Sequence, residues 1–234
     1  MQEVIVGVDV VTWNELSNFR LQEYARTGLE GFETYLYVSE PTAYHDTGQI
    51  AISWRTDVFE AMASGYALNN KGVAHITPSR GVAWVMLRHR GTGRFHYRQV
   101  THVPHHIEVG GKARVVGALS GQNARAEKLF GLIAGMTVRM AVEGMTGLPP
   151  APVFGSGDLN VDYLAEKALP PEQRTAWFPY TTLGAVADLV VPATGTHGAR
   201  LIDWGWAAGG ASGTARTLPR GSSDHNPVLF DITY

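Results

Sequence analysis

Short apolar runs, set off by glycine, proline and asparagine turns, make up most of this chain. That spacing predicts a strand-rich protein. Val4 to Trp13 is one β-branched run and Gln49 to Trp54 is another. Gly81 to His89 and Phe95 to Val103 read as a hairpin, joined by the glycine-bearing turn Arg90-Gly91-Thr92-Gly93. Helical periodicity is clear once. Leu129, Leu132, Ile133, Met136 and Met140 form one apolar stripe, and Gly147-Leu148-Pro149-Pro150 ends it. A second helix is expected from Glu15 to about Ala25, and a shorter one from Asp162 to Ala168. Gly205 to Arg220, rich in Gly, Ala, Ser and Thr, reads as a flexible surface loop. Its place just before the last polar cluster makes it a candidate for substrate contact. Strands with a few helices between them favour two packed sheets with helices outside. No repeat, low-complexity tract or long linker divides the chain, so residues 1–234 are expected to form a single domain.

Composition narrows the picture. Hydrophobic residues make up 44% and charged residues 17%, with a formal net charge of -2. This is a globular composition without the basic excess that marks a nucleic-acid footprint. A polyanion partner would have to be held locally, by a metal or by a few Arg and His. There is no cysteine, which excludes disulfides and thiolate metal sites. No apolar run approaches the roughly 18 residues of a membrane span. The first residues, Met-Gln-Glu-Val-Ile-Val, have no basic region, long apolar core or cleavage site. They do not read as a signal peptide, which favours an intracellular protein, and a monomer is expected.

Four polar clusters sit at the ends of strand-like runs. Val153-Phe154-Gly155-Ser156-Gly157-Asp158-Leu159-Asn160 leads from apolar residues into an Asp and an Asn two apart. In a strand those two share a face and could reach one site. Gly221-Ser222-Ser223-Asp224-His225-Asn226-Pro227 precedes the last strand-like run, Val228 to Ile232. A carboxylate that orients an imidazole is a recurring catalytic arrangement. Leu201-Ile202-Asp203-Trp204 embeds an acid in an apolar run, where a carboxylate is costly unless paired. Val100-Thr101-His102-Val103-Pro104-His105-His106 closes the hairpin's second strand. Each cluster alone has a plain structural reading: a capped turn, a tight turn, a paired structural acid, a strand-end histidine. Glu15 alone reads as a helix N-terminal acid. His105 and His106 read as solvated loop residues, and Trp13, Trp54, Trp84 and Trp204 as packing.

Taken in order, the clusters resemble the motifs of the endonuclease/exonuclease/phosphatase superfamily. Gly157-Asp158-Leu159-Asn160 resembles its G-D-x-N motif, and Ser223-Asp224-His225-Asn226-Pro227 its terminal S-D-H-x-P motif. Ile202-Asp203-Trp204 resembles the I-D-hydrophobic motif before it. Thr101-His102 matches the T-H of the deoxyribonuclease-like branch. Asp9-Val10-Val11-Thr12-Trp13-Asn14-Glu15 resembles the early D-V-hydrophobic-x-x-Q-E segment, with Asn14 in place of Gln. Gly48 to Phe59 resembles the strand that follows it.

The resemblance implies an α/β four-layer sandwich, two mixed β-sheets face to face flanked by helices. It implies hydrolysis of phosphoesters with Mg²⁺, or Mn²⁺ in its place. Glu15 would bind the metal through oxygen, which suits a hard cation. Asp158 would orient or deprotonate the attacking water, and Asn160 would hold a phosphate oxygen. His225 would contact the scissile phosphate, with Asp224 holding its tautomer or helping to ligate the metal. His102 would donate to a phosphate oxygen or the leaving group, and Asp203 would support the metal or the water. The family normally begins with a further strand ending in Asn, and only 14 residues precede Glu15 here. The expectation is that this strand is missing; the alternative is that Thr12-Trp13-Asn14 is itself the Asn motif. A nuclease acting on DNA or RNA is the leading expectation. A basic groove of Arg55, Arg80, Arg88, Arg90, Arg98 and Arg200 would favour it. The alternatives are a phosphatase or phosphodiesterase on phosphoinositides or small phosphoesters, which an exposed apolar patch by the site would favour, and a catalytically impaired binding protein.

Overall fold

The computed structural model describes residues 7–16, 18–37, 50–70, 79–104, 122–170 and 179–234. In chain order the elements are β1 (Val10–Trp13), α1 (Phe19–Thr27), β2 (Phe32–Leu36), β3 (Ala51–Arg55), β4 (Phe59–Asn70), β5 (Arg80–His89), β6 (Phe95–His102), α2 (Gln122–Val142), β7 (Val153–Asp158), α3 (Tyr163–Ala168), α4 (Pro179–Thr182), β8 (Asp188–Val190), β9 (Asp203–Ala208), β10 (Ser212–Thr217) and β11 (Val228–Thr233). Six strands form one mixed sheet in the order β4-β5-β6-β7-β9-β8, with β6 and β7 parallel. Two antiparallel pieces, β1-β3-β2 and the hairpin β10-β11, form the facing layer among the described residues.

Alternation along the strands decides which side chains meet which layer. Tyr97, Val153, Trp204 and Trp206 face α2 and pack with Leu129, Phe130, Ile133 and Met140. Ala83, Val85, Leu87 and Val100 face the other way and pack against Ile52, Trp54 and Phe59. The C-terminal hairpin covers Phe154, Val190 and Ala207 through Phe230 and Ile232. Helix α1 closes the far side of the small sheet, with Leu16 and Ala25 against Ala51. The layers therefore run α2, six-stranded sheet, split sheet, α1.

The hairpin of β5 and β6 and the long helix α2 stand where the hydrophobic pattern puts them. Helix α1 starts at Phe19 rather than at Glu15, because Asn18 supplies the cap, its side chain accepting from Leu21 N. The strand expected from Val4 begins at Val10, and residues 1–6 lie outside the described set. Gly205 to Arg220 is not a flexible loop: its first residues continue central strand β9, and Ser212–Thr217 form β10. Trp206 is fully buried. The glycines and alanines there fit neighbours at close range, since a Cβ on Gly205 would stand 2.8 Å from the Phe154 ring. Strand β4 is long, but its Ala, Gly and Asn residues carry no strand signal, so the hydrophobic pattern does not mark it. Among the described residues no helix is long and apolar enough to cross a membrane.

Candidate active site

The ends of β1, β6 and β7 and the start of β9 meet at one edge of the sandwich. Register places His102 beside Asp158, and Asp158 beside Asp203. Three ionisable residues thus form a row across three neighbouring strands. Gly157 permits the approach of β6 and β7, because a Cβ there would lie 2.0 Å from the carbonyl oxygen of Thr101. This is why the glycines before Asp158 sit inside a strand rather than in a turn.

Asp158, 4% exposed, is held from three sides. His102 Nε2 lies 3.3 Å from its Oδ2, and Asn160 N donates to its Oδ1 at 2.8 Å. Its own amide faces Asn14: with the Asn14 side-chain oxygen toward Asp158 N at 3.2 Å, the amide nitrogen donates to Thr101 O at 3.0 Å. Asn14 so stitches the end of β1 to β6 and β7. Burial raises the Asp158 pKa, but the hydrogen bond and charge of His102 and the Asn160 amide outweigh it, leaving the carboxyl below its ordinary value. Asn160 sits in the left-handed region, with φ 53, and donates its Nδ2 to Val103 O at 2.9 Å.

Asp203 faces the opposite balance. Burial raises its pKa, the His225 hydrogen bond lowers it, and repulsion from Asp158 raises it again, so the net shift is upward. His225 Nδ1 lies 2.8 Å from Asp203 Oδ2. That bond, with the charges of Asp203, Asp158 and Asp224, pushes the imidazole up to about 9 against the opposing effect of burial. His225 is therefore cationic at neutral pH.

Glu15 projects from the end of β1 with φ 58, an uncommon backbone for a glutamate. Its carboxylate comes within 4.0 Å of His102 Nε2. Ligand atoms of Glu15, His102 and Asp158 lie within 4.8 Å of one another, as do those of Asp158, Asp203 and His225. Asp158 joins the two groups. Asp224 is exposed and pairs with His197 at 3.4 Å, and the two bring ligand atoms within 4.8 Å of His225 in a third group. The carboxylate that orients His225 is thus Asp203. His105 and His106 lie outside the described residues.

Two residues here escape the sequence reading. Thr196, fully buried, accepts from Ile202 N and Asp203 N and sets the start of β9. His197 places its ring 4.8 Å from that of His225. Thr196-His197 repeats the Thr-His pair at 101–102, the one signal in the chain that could have pointed to it.

No family model and no curated protein sequence matches the chain. Solved structures do. An endonuclease/exonuclease/phosphatase from Bacteroides vulgatus superposes with a TM-score of 0.69 at 16% identity, covering 99% of this chain and 87% of that one. The fold is that of the endonuclease/exonuclease/phosphatase superfamily. A mannosyl-6-phosphatase of Bacteroides thetaiotaomicron gives 0.68 at 15% identity, over 99% of this chain and 88% of that one. The catalytic domain of human Nocturnin, with a bound sulfate anion, gives 0.64 at 14%, over 99% and 84%.

On this endonuclease/exonuclease/phosphatase fold the arginines do not line one groove. Arg55, Arg88 and Arg90 lie at strand ends opposite the site, where Arg55 pairs with Asp57 and Asp9 and Arg88 with Glu60. Arg98 is buried between the Phe154 and Tyr234 rings. Arg80 and Arg200 share the end that carries the site. Phe19, 74% exposed, opens α1 four residues after Glu15.

Proposed function

We propose that the protein is a divalent-metal-dependent hydrolase of phosphodiester bonds, acting on nucleic acid. The observation that carries this reading is the convergence of Glu15, His102, Asp158, Asp203 and His225 in two groups that share Asp158. The donor set fits Mg²⁺, which is usually held by one or two carboxylates and keeps several waters. Glu15 and Asp158 would hold the ion, and Mn²⁺ would substitute. Bound there, the ion would supply Lewis-acid polarisation of a phosphoryl oxygen.

The chain's own groups do the rest. His225, cationic and oriented by Asp203 through Nδ1, donates from Nε2 to a non-bridging phosphate oxygen. Asp158, kept ionised by His102, accepts a hydrogen bond from the attacking water and aims it at phosphorus. Its depressed pKa suits orientation better than proton abstraction at rest. His102 acts by holding Asp158, since its Nε2 is already engaged. Asn160 keeps a second amide hydrogen for a phosphate oxygen. A phosphodiester is already anionic, so donors fixed in advance offset the charge that grows in the transition state.

A second reading is hydrolysis of phosphoinositides or small phosphoesters. The dispersal of Arg55, Arg88 and Arg90 away from the site and the exposure of Phe19, four residues after Glu15, favour this reading. The test is cleavage of plasmid DNA and single-stranded RNA in Mg²⁺, Mn²⁺ or EDTA, beside His225→Ala, with a phosphoinositide and phosphomonoester panel run in parallel. Metal-dependent cleavage lost in the variant supports the nuclease. Turnover confined to the panel replaces it with the second reading. Silence throughout leaves a catalytically impaired binding protein.

A further inference from the structure

Imidazole nitrogens and a carboxylate that converge suit borderline transition ions better than Mg²⁺. His197, Asp224 and His225 supply that set, with ligand atoms all within 4.8 Å of one another. Two features go beyond proximity. His197 Nε2 and Asp224 Oδ2 are 3.4 Å apart. That is long for a charge-assisted hydrogen bond. It matches the separation of roughly 3.4 Å between two ligands on a tetrahedral zinc with bonds of about 2.1 Å. In addition, His225 bonds Asp203 through Nδ1, which leaves Nε2 for an ion, its proton passing to solvent as the ion binds. A carboxylate behind a ligating imidazole is the usual support of a zinc-bound histidine.

The three ligands come from two segments that are already joined. Asn226 N donates to Thr196 O at 2.7 Å, and Asn226 Nδ2 to Gly195 O at 3.1 Å. Gly198, with φ 58, makes the turn that the His197–Arg200 bridge closes. The side chains of His197, Asp224 and His225 are 38%, 70% and 22% exposed, so an ion can reach them. We propose that His197, Asp224 and His225 form a second metal site, selective for zinc-like ions, and that an ion bound there stops hydrolysis by occupying Nε2 of His225. The inhibitory half rests on the role of His225 proposed above; the binding half does not.

The experiment titrates Zn²⁺ into the full chain in excess Mg²⁺ by calorimetry, with Co²⁺ followed by its visible absorption. One ion is expected to bind per chain. His197→Ala and Asp224→Asn should each weaken it at least tenfold, while Glu15→Gln should leave it unchanged. In the hydrolysis assay Zn²⁺ should lower the wild-type rate at least tenfold. His197→Ala should keep its Mg²⁺-dependent rate and need at least tenfold more Zn²⁺ for the same inhibition. Equal zinc affinity in wild type and His197→Ala overturns the site. Binding through His197 with an unchanged or raised rate overturns the switch. A wild type that is inactive in Mg²⁺ alone overturns the proposed function and the switch with it, and calorimetry still decides the site.

Discussion

His102–Asp158 and His225–Asp203 are the same two residue types side by side, yet they are built for different work. The first pair is buried, with His102 and Asp158 each about 5% exposed, and both residues sit on strands locked by register. The second is half-open, and its histidine comes from the turn before β11. In the first pair the acid lies below its ordinary pKa and accepts bonds from several donors. In the second the acid is raised, and the histidine reaches about 9. The difference comes from neighbours. Asp158 lies between two histidines and an amide, whereas Asp203 lies beside Asp158 and feels its repulsion. One row of side chains therefore holds a fixed anion next to a cation, the pairing on which the proposed hydrolysis depends.

Breaking either pair separates the two roles. The largest effect is expected from Asp158→Asn or His225→Ala, each lowering kcat by at least about 100-fold, the range for a lost transition-state donor or base. Steady-state rates in Mg²⁺ measure it. Asp203→Asn should cost less, about 10- to 100-fold, because it acts through His225. Its signature is the pH profile. Wild-type activity should fall on the alkaline side near pH 9, and the variant's limb should move down toward the ordinary imidazole value of 6.5.

The same shift appears in stability. A histidine whose folded pKa is raised to about 9 from 6.5 binds its proton more tightly when folded. Its contribution is fully present below about pH 6.5 and is lost as pH rises through about 9. Asp158 runs the other way: its lowered pKa gives a contribution present at neutral pH and lost as pH falls through its folded value. Tm measured from pH 3 to 10 should fall at both ends. His225→Asn should remove most of the alkaline fall and leave the acid one.

The smallest effect sharpens the comparison at its edge. Glu15 holds a left-handed backbone that costs a non-glycine residue about 1–2 kcal/mol, and asparagine tolerates it better. Glu15→Asn should raise Tm by a few degrees, as about 1 kcal/mol would, while weakening the Mg²⁺ response of the rate.

The residues of the two pairs were legible in the sequence, but their partnerships were not. Asp158, Asn160, Asp203 and His225 stand out because polar groups end apolar runs. Which acid meets His225 depends on cross-strand register, and the sequence neighbour Asp224 is turned toward His197 instead. The hairpin and the long helix were legible because their apolar periods are strong. Strands β4, β9 and β10 were not, since the glycines there answer to neighbours such as Trp84, Phe154 and Ile232 rather than to strand propensity. Asn14, Thr196 and His197 meet the row through tertiary contacts, and the sequence carries only faint signs of them: Asn14 beside Glu15, and a Thr-His pair at 196–197 that repeats the one at 101–102.

The central claim is that this row of side chains hydrolyses a phosphodiester. Its most direct test is the rate of bis(p-nitrophenyl) phosphate hydrolysis in Mg²⁺ by wild type, Asp158→Asn and His225→Ala, each with an EDTA control. The account predicts metal-dependent turnover by the wild type that falls at least about 100-fold in both variants. Equal rates in all three proteins, or a wild-type rate indifferent to EDTA, would contradict it.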